Sequence, residues 1–122
     1  MTGPGAADTA AVRTRLAELT RKFVTRTAGD VAQMRDALAR LDAGPVLGSD
    51  GAHDLSALDQ IHQLAHRASG TGGTLGLCAL SDAAAELERL VEALPKDAAP
   101  DVAERAQIRA GVDAVAEQLT RL

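Results

Sequence analysis

Apolar residues recur every three or four positions along most of the chain, the period of a helix that buries one face. Val12, Leu16, Leu19 and Phe23 form the first stripe, with Asp8 or Thr9 placed to cap its start. Val31, Met34, Leu38 and Leu41 form the second. Ala28, Gly29 and Asp30 lie between them and read either as a break, with Asp30 as the N-cap of a second helix, or as a kink in one continuous helix. Residues 42–52 carry three glycines, a proline and two aspartates and form the clearest loop. Asp54 then opens a helix with Leu58, Ile61, Ala65 and Ala68 on one face. Another runs from about Leu77 to Leu94, with Leu80, Ala84, Leu87, Val91 and Leu94 as its stripe, and Pro95 stops it. Pro100 closes a short linker before the last stripe: Val102, Ile108, Val112, Val115, Leu119 and Leu122. The pattern predicts an all-α fold, an antiparallel four-helix bundle with an additional N-terminal helix. Residues 1–7 are expected to be a flexible lead and residues 8–122 a single domain.

Composition agrees with the periodicity. Ala, Leu, Arg and Glu dominate the 122 residues, β-branched residues are sparse, and Phe23 is the one aromatic. Such a mixture makes good helices and poor strands. A chain of this length builds one hydrophobic core. Its formal charge of −4 argues against nucleic acid as a partner, and the lack of aromatics removes base-stacking platforms. No apolar run approaches the roughly 20 residues that span a bilayer, and residues 1–5 lack the basic and apolar regions of a secretory leader. A single cysteine, Cys78, cannot form an internal disulfide. It is expected to be a small packing residue at a helix start, in a protein of the cytoplasm.

Chemistry concentrates in residues 61–76. With Leu58, Ile61, Ala65 and Ala68 on the core face, His66 falls one residue round the helix, where it reaches solvent. His62 and Asp59 share its face, and the same face continues through Ser69, Gly70 and Gly73. Glycines at 70, 72, 73 and 76 each cost roughly 1 kcal/mol relative to alanine inside a helix. One reading makes them the end of the helix. The other makes them an opening through which a second protein and a phosphoryl group approach His66. A phosphate-binding P-loop is excluded, because no strand precedes the glycines and no Lys-Ser or Lys-Thr follows them.

Residues 65–88, from Ala-His-Arg-Ala-Ser-Gly to Ala-Glu-Leu-Glu, resemble the signature of histidine-containing phosphotransfer (HPt) domains. The family pattern is a histidine, a glycine four residues on, a Leu-Gly pair at nine and ten, and a helix ending in Leu-Glu or Leu-Gln. His66, Gly70, Leu75, Gly76, Leu87 and Glu88 occupy those positions. The order of helices fits the family's bundle over residues 10–120. One position departs: where the family has lysine three residues after the histidine, this chain has Ser69. Arg67 is the nearest cation in sequence, about 100° further round the helix.

The resemblance implies a phosphorelay intermediate of two-component signalling. His66 takes a phosphoryl group from a receiver-domain aspartate and passes it to another receiver, and Glu88 orients the imidazole. His62, Arg67, Ser69, Gly70 and Gly73 are the expected phosphoryl- or partner-binding set. Partners are response-regulator receiver domains and hybrid histidine kinases, with Mg²⁺ supplied by the receiver, no cofactor or metal ligand of the domain's own, and a monomeric state. With no nucleotide-binding motif, autokinase activity is not expected. Two rivals stand beside this reading. One is a docking module that binds receivers or kinases without being phosphorylated. The other is a metal-binding bundle in which His62 and His66, at i and i+4, share an ion with Asp59 or Glu88.

Overall fold

The computed structural model describes residues 5–43, 55–95 and 99–122. They form four helices, α1 (Gly5–Asp42), α2 (Leu55–Thr74), α3 (Cys78–Glu92) and α4 (Val102–Thr120), with no strand among the described residues. Each helix packs against two neighbours: α1 and α3 both touch α2 and α4. Side-chain pairs across the seams give the directions. Arg67 and Gln60 on α2 meet Asp30 and Arg40 on α1, and Arg35 and Asp42 on α1 meet Asp113 and Arg109 on α4. Numbers rise on one helix as they fall on the other, so the neighbours run antiparallel. The expected helical bundle is the fold.

Four stripes fill its centre. Met34, Ala37, Ile61, Ala65, Leu80, Leu87, Ile108 and Val112 are buried to within a few per cent, and Phe23 closes one end. Gly111 lets α4 approach α3: a Cβ there would stand 2.9 Å from Cδ1 of Leu87.

The additional N-terminal helix does not exist as a separate element. The first two stripes lie on one 38-residue helix that begins at Gly5, within the stretch expected to be a flexible lead, so Asp8 and Thr9 lie inside it rather than at its cap. The reason is visible at the expected break. Gly29 sits on an exposed face, and a Cβ added there would meet nothing within 4 Å, so it disturbs no packing. Asp30 is buried and bonded to Arg67 from α2 instead of capping a helix start. Only part of α1 belongs to the bundle. Val12, Leu16 and Leu19 are 64, 45 and 40 % exposed, and burial begins at Phe23.

Two other elements differ from expectation. Val102 and Leu122, at the ends of the α4 stripe, are exposed. The start of α4 is set by a capping box instead: the Asp101 carboxylate accepts from the Glu104 N–H, and Glu104 Oε1 accepts from the Asp101 N–H. This Asp-x-x-Glu is a local signal that the apolar period alone does not reveal. Cys78 opens α3 as expected, but its side chain is exposed and packs nothing into the core. Most of the Gly-rich loop, together with His53 and Asp54, lies outside the described residues.

Candidate functional site

The glycine-rich stretch is helical almost to its end. Gly70, Gly72 and Gly73 all lie within α2, and Gly76, at φ +77°, is the residue that stops it. The Leu77 N–H reaches back to the Gly72 carbonyl (2.8 Å) and the Gly76 N–H to the Gly73 carbonyl (3.1 Å). These are the two bonds of a Schellman terminus, with Gly76 in the left-handed position that glycine occupies without penalty. The two readings of the glycines therefore divide by position: Gly76 ends the helix, while Gly70 and Gly73 lie on its exposed side.

The turn brings α3 back along α2 in close register. Gly72 and Gly73 admit Ser81, whose Oγ lies 3.3 Å from where a Cβ on Gly73 would stand. Ser81 Oγ donates to the backbone carbonyl of Ser69 (2.8 Å), tying the helices together one turn beyond His66. Further along the same seam, His66 Nδ1 meets Glu88 Oε2 at 2.6 Å, and His62 Nε2 meets Glu92 Oε1 at 2.8 Å. Two histidines one turn apart on α2 thus face two glutamates one turn apart on α3. The imidazole rings lie nearly parallel, 5° apart in plane with centroids 6.5 Å apart.

The two members of the first pair differ in exposure. The His66 side chain is 75 % exposed and that of Glu88 19 %. An ionised carboxylate only accepts, so the proton in their hydrogen bond belongs to Nδ1; in the neutral ring the Nε2 lone pair is then free. A sheltered carboxylate thereby holds an exposed imidazole in the tautomer that can act as a nucleophile.

The remaining expected site residues are distributed around this centre. Gly70 has nothing within 4 Å of a would-be Cβ, so the surface beside His66 is open at that point. Ser69 is half-buried and engaged through its carbonyl. Arg67 departs from expectation: it turns to α1, where its guanidinium bonds to Asp30 Oδ1 at 2.7 Å, while His66 bonds toward α3. The Asp30 side chain is only 4 % exposed, so leaving it would strand a buried carboxylate. Sequence reasoning missed two residues, Asp30 and Glu92. The i, i+4 repeat of both histidines and glutamates signalled Glu92. Nothing local signalled Asp30, whose partner comes from another helix.

A helical bundle that presents an exposed imidazole backed by a carboxylate has the features of a class of protein that carries a transferable group on histidine. The family model for the Hpt domain matches residues 18–118, and the chain belongs to that family. It is a histidine phosphotransfer module of two-component phosphorelay, a family of carriers that interact with receiver and kinase domains. Comparison with curated proteins and with solved structures gives no match. Among the described residues, no helix is long and apolar enough to cross a membrane.

Proposed function

We propose that His66 is the residue phosphorylated, and that the chain relays the group between receiver domains. The observation that carries this reading is the His66–Glu88 bond at 2.6 Å on an imidazole that is otherwise exposed. His66 Nε2 attacks the phosphorus of an aspartyl phosphate, the bond from phosphorus to the aspartyl oxygen breaks, and a free carboxylate leaves with the donor. Attack puts positive charge on the ring, and Glu88 stabilises it through the Nδ1–H it already accepts. The second receiver runs the step in reverse. Gly70 and Gly73 keep the approach clear, and His62 and Ser69 border it. Arg67, bonded to Asp30, serves the α1–α2 seam rather than the phosphoryl group.

Mg²⁺ and the acidic residues that bind it come from the receiver, and the domain does not phosphorylate itself from ATP. It works as a monomer in the cytoplasm. The test is transfer of label from a panel of phosphorylated receivers and hybrid kinases to the wild type and to His66→Gln. Acid-labile, base-stable label on the wild type alone supports the proposal.

One observation favours the second reading, a docking module that is not phosphorylated. Ser69 brings no charge, and Arg67 is held by Asp30, so neither supplies a cation to a phosphoryl group on His66. On this reading no donor labels the wild type, and His66→Gln binds the receiver as the wild type does.

A further inference from the structure

The second imidazole–carboxylate pair makes and breaks no bond in the proposed transfer step, and its surroundings suit a ligand. Ligand atoms of His62, Glu92 and Glu88 all lie within 4.8 Å of one another. His62 and Glu92 also line, with Asp59, Leu58, Val91 and Pro95, a cleft of about 370 Å³ between α2 and the end of α3. One imidazole nitrogen and two carboxylates on facing helices form the donor set of a divalent transition metal, with the open cleft leaving room for water as the remaining ligand. We infer that His62, Glu92 and Glu88 form a binding site for a divalent transition metal of the Zn²⁺ type, beside His66 but not including it.

Distances carry the inference. Two ligands of a tetrahedral Zn²⁺, each about 2.1 Å from the ion, stand about 3.4 Å apart. His62 Nε2 and Glu92 Oε1, at 2.8 Å, must separate by about half an ångström, and a Glu88 oxygen, within 4.8 Å of both, must take up about the same spacing. The first shift lies within the reach of side-chain rotation, because Glu92 is more than half exposed and His62 one-third exposed. Binding takes the place of the His62–Glu92 hydrogen bond: the neutral ring carries its proton on Nδ1 and offers the Nε2 lone pair to the ion. The set differs from a shared ion on His62 and His66, whose parallel rings at 6.5 Å point their bonds at separate glutamates.

Glu88 belongs to both arrangements. A cation that recruits its carboxylate draws electron density from the group that orients His66, so an occupied site slows phosphotransfer. The site itself does not depend on His66 being phosphorylated; only this coupling rests on that reading.

The experiment is calorimetric titration of the full chain with Zn²⁺, in a Cys78→Ser background so that the exposed thiol does not compete. One equivalent is expected to bind more tightly than about 1 mM. His62→Gln and Glu92→Gln are each expected to weaken binding at least about tenfold, whereas His66→Gln, which removes the competing partner of Glu88, does not weaken it. Circular dichroism confirms that each variant is folded. The inference is overturned if no binding tighter than about 1 mM appears, or if His66→Gln abolishes binding that Glu92→Gln retains. Transfer from a receiver to Glu92→Gln in the absence of metal, at the wild-type rate, tests the relay separately. Its failure leaves the titration result standing.

Discussion

At the scale of single residues, the site depends on an asymmetry between two partners. The His66 side chain faces solvent, where the proposed transfer takes place, while its partner Glu88 is sheltered. Replacing Glu88 with alanine leaves the nucleophile in place but frees the ring to turn and to adopt either tautomer. Transfer to Glu88→Ala should fall by about 10- to 100-fold without vanishing, by analogy with the loss of a carboxylate behind a metal-bound histidine. Single-turnover transfer rates from a phosphorylated receiver check this, and an unchanged rate would remove Glu88 from the mechanism. Arg67 is a residue of the opposite kind. Removing it uncovers the buried Asp30 carboxylate, and Arg67→Ala should lower stability by about 1–3 kcal/mol in urea unfolding. The lower half of that range is favoured by the exposure of the guanidinium. His66 chemistry in the folded variant should be little altered.

At the scale of elements, the end of α2 performs two tasks with one residue type. Gly76 supplies the left-handed turn, and an alanine there would cost roughly 1–2 kcal/mol for its positive φ. Gly70 is an ordinary helical residue with empty space around it, so its absence of a side chain helps neither the turn nor the packing. Gly70→Ala should therefore raise stability by about 0.5–1 kcal/mol. Gly70→Leu should also fold, yet lose most of its phosphotransfer, because the added side chain occupies the approach to His66. Thermal melts and transfer assays on both variants separate the two effects; normal transfer to Gly70→Leu would refute the access argument. The α2–α3 turn also sets the register that matches His66 to Glu88 and His62 to Glu92.

At the scale of the whole molecule, the bundle and the long first helix are distinct in what they contribute. The core begins at Phe23, while Val12, Leu16 and Leu19 stand largely in solvent. The match to the Hpt family begins at residue 18. Deleting residues 1–17 should therefore preserve the bundle, with a thermal midpoint lowered by less than about 4 °C, the change that accompanies under 1 kcal/mol in a domain of this size. Receiver-to-His66 transfer should persist in the same variant. A large loss of stability would mean that the exposed turns of α1 support the bundle.

The amino-acid sequence by itself determined the helical class, the core faces of α2 and α3, and the place of His66, because each depends on the local period of apolar residues and on a short motif. The Asp101–Glu104 box was equally local. The tertiary structure alone decided what lay beyond one helix. Whether α1 breaks at Ala28–Asp30 turned on a partner from α2: once Arg67 reaches Asp30, the aspartate no longer serves to cap a new helix, and the chain continues through it. The family pattern had already named Glu88 for His66, but the pairing of His62 with Glu92 followed from the antiparallel register of α2 and α3. That register is set by a turn whose effect is felt two helical turns away, and periodicity along one stretch of sequence does not encode it.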